Sequence, residues 1–320
     1  MRVYEGFGRI DTSVGWNVWN HNVGFVATLL NPTGAERVWS GAGEPVLANC
    51  TSLGRAVVVA GGLRVSGSWP MVSGVDSADW LLALCVVLDG DRRRVTGQDG
   101  GEYRFVLFSR AQLTVHDTWN VSGMRASGSK KVQVDDVFVA EDLSVDVATR
   151  PRCGGPLYRI PTMYLMAAGC TAVLLGTAQG AIDELVELAP GKKTFEGGTL
   201  ADRPATQDRI GRAETALRAA RGLLFLVATQ FDRAAEAGDP ITLELRSSLH
   251  AAQSHSASVS REVLVSMHER AGSTSVYLGS RFERLIRDGL VATQHLNHSA
   301  RFFEDVGRIR LGMAPQIPLF

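Results

Sequence analysis

The sequence predicts an α+β protein: a short helical segment (residues 1–40), a central β domain of barrel or sandwich type (41–155) and a C-terminal four-helix bundle (156–320). Three observations predict it. Short Val-rich runs bounded by Gly, Asp and Ser fill residues 41 to about 150, as strands do. From about 158 the pattern changes to long stretches with apolar residues at helical spacing. All six tryptophans fall within the first 119 residues, so the aromatic weight lies in the first half.

Taken in order, VGWNVWNHNVGFVATLL reads as helix, broken by Pro-Thr-Gly before AERVWSG. The strand candidates are RAVVVAGGLRVSGSW, WLLALCVVLD, EYRFVLFSR, LTVHDTW and KKVQVDDVFVA, and Gly61-Gly62 marks a hairpin inside the first. Four helices follow over 161–189, 204–238, 241–272 and 280–304. The second ends on a glycine, and short connections between long helices indicate a bundle. The most apolar stretch, 163–182, is broken by glycines and runs into DELVE, so it reads as a buried bundle helix rather than a membrane span.

Lys plus Arg (33) equals Asp plus Glu (33), which argues against a nucleic-acid or anionic-membrane binder. The four cysteines include no CxxC pair, and no basic and apolar leader opens the chain, so a cytoplasmic protein is expected. His295 and His298 lie three apart in QHLNH, where a helix would put both on one face. They read as packing, metal ligands or proton carriers; without HExxH or a cysteine partner, no metal site is expected.

Four stretches carry a resemblance: GGLRVSGSWPMVSG (61–74), WNVSGMRASGSKKVQVDDVFVAED (119–142), LADRPATQDRIGRAETALRAAR (200–221) and SRFERLIRDGLVATQH (280–295). Together they resemble the acyl-CoA dehydrogenase fold. The catalytic glutamate of true dehydrogenases has no counterpart, since no carboxylate falls between Asp288 and Glu304. Their T-E-P-x-x-G-S-D stretch is also missing from LANCTSLGRAVVVAGG. The sequence instead is similar to the two-component flavin-dependent monooxygenases of this fold. Trp69, Ser73, Gly74 and His295 stand at that branch's motif positions.

The resemblance implies an oxygenase component. It would take reduced FMN or FAD from a separate flavin reductase, form a C4a-hydroperoxyflavin with O2 and hydroxylate an aromatic or polycyclic molecule. Ser73 would sit near the flavin, and His295 would act as base or peroxide stabiliser, assisted by His298 or His21. Trp69, Met71, Val72 and Gly74 would contact flavin, and Trp69, Met71 and Trp119 would shape a dry pocket, with ordinary core packing as the other reading. Flavin phosphate would fall to Lys193 and Arg203, or to Ser273 and Ser275 in a loop read as opening a helix; these also read as ordinary loop residues. The resemblance implies a homotetramer, and the chain is expected to lack helices that relatives carry before DTSVGW. Two alternatives stay open: a dehydrogenase with a displaced base, Glu269 or Glu283, and a flavin-free paralogue acting as a subunit partner.

Overall fold

In a computed structural model, the structure describes residues 1–41, 43–90, 92–94 and 101–317. Three helices come first: α1 (Arg2–Ile10), α2 (Thr12–His21) and α3 (Pro32–Trp39). The strands are β1 (Leu47–Val59), β2 (Gly62–Val72), β3 (Trp80–Asp89), β4 (Arg92–Arg93), β5 (Tyr103–Ser109), β6 (Thr114–His116), β7 (Lys130–Ala140) and β8 (Ser144–Asp146). Five helices follow: α4 (Thr162–Leu188), α5 (Pro204–Ala237), α6 (Leu243–Ala271), α7 (Arg281–Ala292) and α8 (Arg301–Arg310).

The strands form one sheet of order β6-β7-β2-β1-β3-β5-β8, with β4 added against β3. The expected hairpin joins β1 to β2, with Gly61 at φ 78° in its turn. Among the described strands only β1 and β3 pair in parallel; β3 lies inside the sheet between β1 and β5, and its apolar run is buried almost throughout. Trp69 is fully buried in the sheet core. Its indole lies over Gly54 and Gly67, where any Cβ would collide with it.

Two apolar cores divide the molecule. One is the sheet with residues 23–38 and Met166; the other is the bundle with Trp16, Trp19 and Met124. The first forty residues are thus shared: α2 packs on the bundle, while Val23, Val26, Leu29 and Leu30 pack on the sheet. Helix α4 is apolar on every face because α1, α5, α6 and α7 surround it. It is the one helix among the described residues long and apolar enough to cross a membrane, and 83% of its most apolar window is buried inside the protein.

Local chemistry fixes the helix ends. Pro204 opens α5 and Gly238, at φ 77°, closes it. Thr242 and Ser280 cap α6 and α7 by accepting backbone N–H bonds. The expected fourth helix is split. After Ala292 the chain leaves the helix, and His295 is extended at ψ 144°. The segment TQHLNHS competes with helix hydrogen bonding: the Thr293 hydroxyl donates to Leu290 O and His295 accepts from Asn297 N.

Helix α1 crosses α4 at glycine contacts: a Cβ on Gly176 would overlap the Glu5 carbonyl. Gly176→Ala is therefore expected to destabilise the protein by about 1–3 kcal/mol in denaturant unfolding. Gly211→Ala, on the exposed side of α5 with open space around it, is expected to stabilise by about 0.5–1 kcal/mol.

Candidate active site

Where sheet meets bundle there is a cavity of about 320 Å³. The sheet side contributes Asn49, Met71 and Ser73, and the loop before β7 adds Trp119, Met124, Ser127 and Ser129. Helix α2 supplies Trp16 and Trp19, α4 supplies Met163 and Met166, and the segment after α7 supplies Gln294, His295 and Asn297.

One contact fixes this arrangement. The Asp288 carboxylate on α7 accepts the Met124 N–H at 2.7 Å. Met124 sits in the left-handed region at φ 57°, and Gly123 lies so close to α7 that a Cβ would run into the Arg287 carbonyl. Trp119 Nε1 donates to Met124 O at 2.9 Å, and Arg287 reaches Ser122 O. Burial raises the Asp288 pKa, and the Met124 N–H opposes that rise.

From Met124 a chain of hydroxyls runs to the cavity. Ser127 Oγ donates to Met124 O at 2.7 Å. Ser127 and Ser129 hydroxyls lie 2.7 Å apart, and Ser129 and Ser73 hydroxyls 2.8 Å apart. A hydroxyl has one proton. With the Ser127 proton on the carbonyl, Ser129 donates to Ser127 and Ser73 donates to Ser129. Trp16 Nε1 then donates to Ser73 at 3.2 Å. Ser73 has no proton left for a ligand: toward the cavity it can only accept.

On the bundle side, His295 Nδ1 accepts the Asn297 N–H at 3.3 Å, so the neutral ring carries its proton on Nε2. Trp16 and Trp19 stand edge-on to the imidazole, with centroids 5.3 and 5.5 Å away. Burial among them pushes the His295 pKa down to about 3, with the neighbouring His298 adding to the effect. The ring is half-buried, since one side lines the cavity. The buried Cys170 thiol, 3.9 Å from Nδ1, is pushed up to about 11 by burial and stays protonated.

A family model described as "Acyl-CoA dehydrogenase, C-terminal domain" matches residues 168–300. The chain is 30% identical over 264 residues to the indole-3-acetate monooxygenase of Pseudomonas putida, a match covering 81% of this chain and 65% of that protein. It is 29% identical over 325 residues to HsaA of Mycobacterium tuberculosis, the oxygenase subunit of a flavin-dependent monooxygenase; that match covers 96% and 78%. Among solved structures, XiaF from Streptomyces sp. in complex with FADH2 and glycerol superposes with a TM-score of 0.89 at 26% identity, over 99% of this chain and 81% of that one. The chain thus has the acyl-CoA dehydrogenase fold and is similar to flavin-dependent monooxygenases built on it, spanning about two thirds to four fifths of their length.

Of the monooxygenase-type residues expected from sequence, Ser73, Met71, Trp119 and His295 meet in the cavity. The others do not line it. Trp69 and Val72 are fully buried in the sheet core, and Trp69 Nε1 donates to Ser52 O. Gly74, at φ 69°, makes room for the His21 ring, which a Cβ there would overlap. Burial lowers the pKa of His21. His298 is buried behind His295: its Nδ1–H donates to Ala292 O at 2.9 Å, and Nε2 takes the Thr171 hydroxyl at 3.1 Å. That partnering makes it a support for the His295 segment rather than a group open to a ligand.

None of the phosphate candidates lines the cavity. Arg203 pairs with Glu196 at 2.5 Å and also bonds Thr194 and Gly197 O, tying up its own loop. Lys193 is exposed and bridges to Thr199. The 271–275 loop closes α6 instead of opening a helix: Ser275 Oγ donates to Gly272 O at 2.7 Å, with His268 O 3.2 Å away, and Ser273 is exposed. Among the described residues, no group of three His, Cys, Asp or Glu side chains is placed to hold a metal. Sequence reasoning missed Ser127 and Ser129 as polar relays and Trp16 and Trp19 as walls. Their signals were the S-G-S of the second quoted stretch and two tryptophans three apart on a helix.

His298 and His250 are also pushed down to about 4 by burial. Free imidazoles protonate near pH 6.5. As pH falls from about 6.5 toward 4, the unfolded chain takes up protons that the folded chain refuses. The stabilising contribution of these neutral rings is thus complete above 6.5 and is lost on acidification. His298→Gln is expected to lower the melting temperature at pH 7 and to shrink the further loss between pH 7 and pH 5.

Proposed function

We propose that this chain is the oxygenase component of a two-component system, hydroxylating an aromatic molecule with reduced flavin and O2. The observation that carries the reading is the polarity of the cavity. It has a hydroxyl that can only accept on the sheet wall, a neutral imidazole N–H on the bundle wall, and no carboxylate among its described lining residues. A reduced flavin ring bears an N–H at N5 where the oxidised ring has a lone pair. An obligate acceptor at Ser73 therefore suits the reduced ring.

Bound reduced flavin would supply the electrons that split O2, one oxygen atom going to the substrate and the other to water. The chain's own residues would do the rest. Ser73 Oγ would hold the N–H, and His295 Nε2–H would donate to an oxygen atom beside it. Trp16, Trp19, Trp119 and the methionines would keep water out. With its low pKa, His295 serves better as a fixed donor than as a base toward phenols.

The dehydrogenase alternative loses its support. Glu269 pairs with Arg209 and Glu283 with Arg287, and neither lines the cavity. FMN and FAD both fit the reading, because the ring that Ser73 and His295 would face is the same in each. Exposed Leu223 and Leu226 on α5, and Val276, Tyr277 and Leu278 after α6, favour a homotetramer. A flavin reductase partner and a cytoplasmic setting complete the proposal.

The test is oxygen consumption, peroxide and hydroxylated product measured together, with a flavin reductase supplying reduced flavin. Wild type is expected to couple oxygen use to product. His295→Ala should form at least about tenfold less product while peroxide rises, the size expected for loss of a positioned proton donor. Equal coupling in both proteins would contradict the role given to His295.

A further inference from the structure

The cavity wall carries a second message, about the substrate. Among its described lining residues there is no Asp, Glu, Lys or Arg. Its inner polar groups are largely occupied by one another. The Asn20 and Asn49 amides bond each other's backbone carbonyls at 3.2 and 2.6 Å, and Asn20 Oδ1 also takes the Asn49 N–H. The Asn297 amide donates to Ala167 O at 3.2 Å. The serine chain spends its protons internally. What remains toward a ligand inside the cavity is the edges and faces of three tryptophans, four methionines, the accepting Ser73 Oγ and the His295 Nε2–H, with the uncharged side chains of Thr51, Ser52 and Gln294 at its exposed rim.

Such a wall suits a flat, polarisable, uncharged ring, which it can contact through dispersion and sulfur–aromatic contacts. It cannot replace the hydration of a carboxylate or an ammonium, and an ion buried without a partner is strongly disfavoured. We propose that this site takes an uncharged indole- or phenol-type ring and discriminates against the same ring bearing a carboxylate or an amine. The proposal rests on the monooxygenase reading, and it separates this chain from its Pseudomonas putida relative, whose name specifies indole-3-acetate.

The experiment is equilibrium binding of indole, indole-3-acetate and tryptamine to the full chain by calorimetry, alone and with reduced flavin under anaerobic conditions. Indole is expected to bind at least tenfold more tightly than either ion. Gln294→Arg, a change at the exposed mouth of the cavity, is expected to strengthen indole-3-acetate about tenfold and weaken tryptamine. Either ion binding as tightly as indole would overturn the proposal, as would no binding of any of the three in both conditions. So would a Gln294→Arg protein that keeps the wild-type melting temperature and shows no gain for the acid. Neutral-ring preference without oxygenation would sink the monooxygenase reading alone; oxygenation with the acid preferred would sink this one alone.

Discussion

The hydrogen bond from Met124 N–H to the Asp288 carboxylate is the constraint on which the site depends. It joins the loop before β7 to α7, and so joins two motifs more than 160 residues apart in sequence. On one side it sets the left-handed turn that brings Trp119, Ser127 and Ser129 to the cavity. On the other it anchors the helix whose exit carries His295. A buried carboxylate that kept its charge without such a donor would cost several kcal/mol, so the bond and the burial depend on each other.

From that anchor, polarity propagates in one direction. A backbone carbonyl takes the Ser127 proton, and each serine in turn gives its own proton away, until Ser73 is left as an acceptor. The opposite wall works by a different route. Asn297 N–H occupies His295 Nδ1, and the tryptophans keep the ring neutral, so Nε2 is left as a donor. An acceptor at Ser73 and a donor at His295 facing each other across the cavity follow from hydrogen-bond counting, with no Asp, Glu, Lys or Arg among its described lining residues.

Much of this was legible in the sequence. β3 and β7 were readable to the residue, because Val-rich runs end on clear turn signals. Ser73 and His295, which both line the cavity, are legible because short motifs fix their context. His298 was misjudged because helical spacing was assumed through a segment whose own polar side chains end the helix. Trp69 stood in the right motif and serves the core, since the motif also encodes two glycines for its indole to cover. The relay serines could not be chosen from sequence: small hydroxyl residues in a loop acquire direction only when a carbonyl lies 2.7 Å away. Two of the phosphate candidates, Arg203 and Ser275, turn instead to partners in or beside their own loops, which sequence spacing does not reveal.

The central claim is that this chain's residues hold a reduced flavin ring through a proton-accepting Ser73. The most direct measurement is anaerobic equilibrium titration of the full chain, wild type and Ser127→Ala, with FAD and FMN in their reduced and oxidised forms. Wild type is expected to favour the reduced form of whichever flavin binds. Ser127→Ala is expected to narrow that preference, because Ser129 and then Ser73 become free to turn their protons. Equal affinity for both redox forms in wild type, or no binding of either, would contradict the claim.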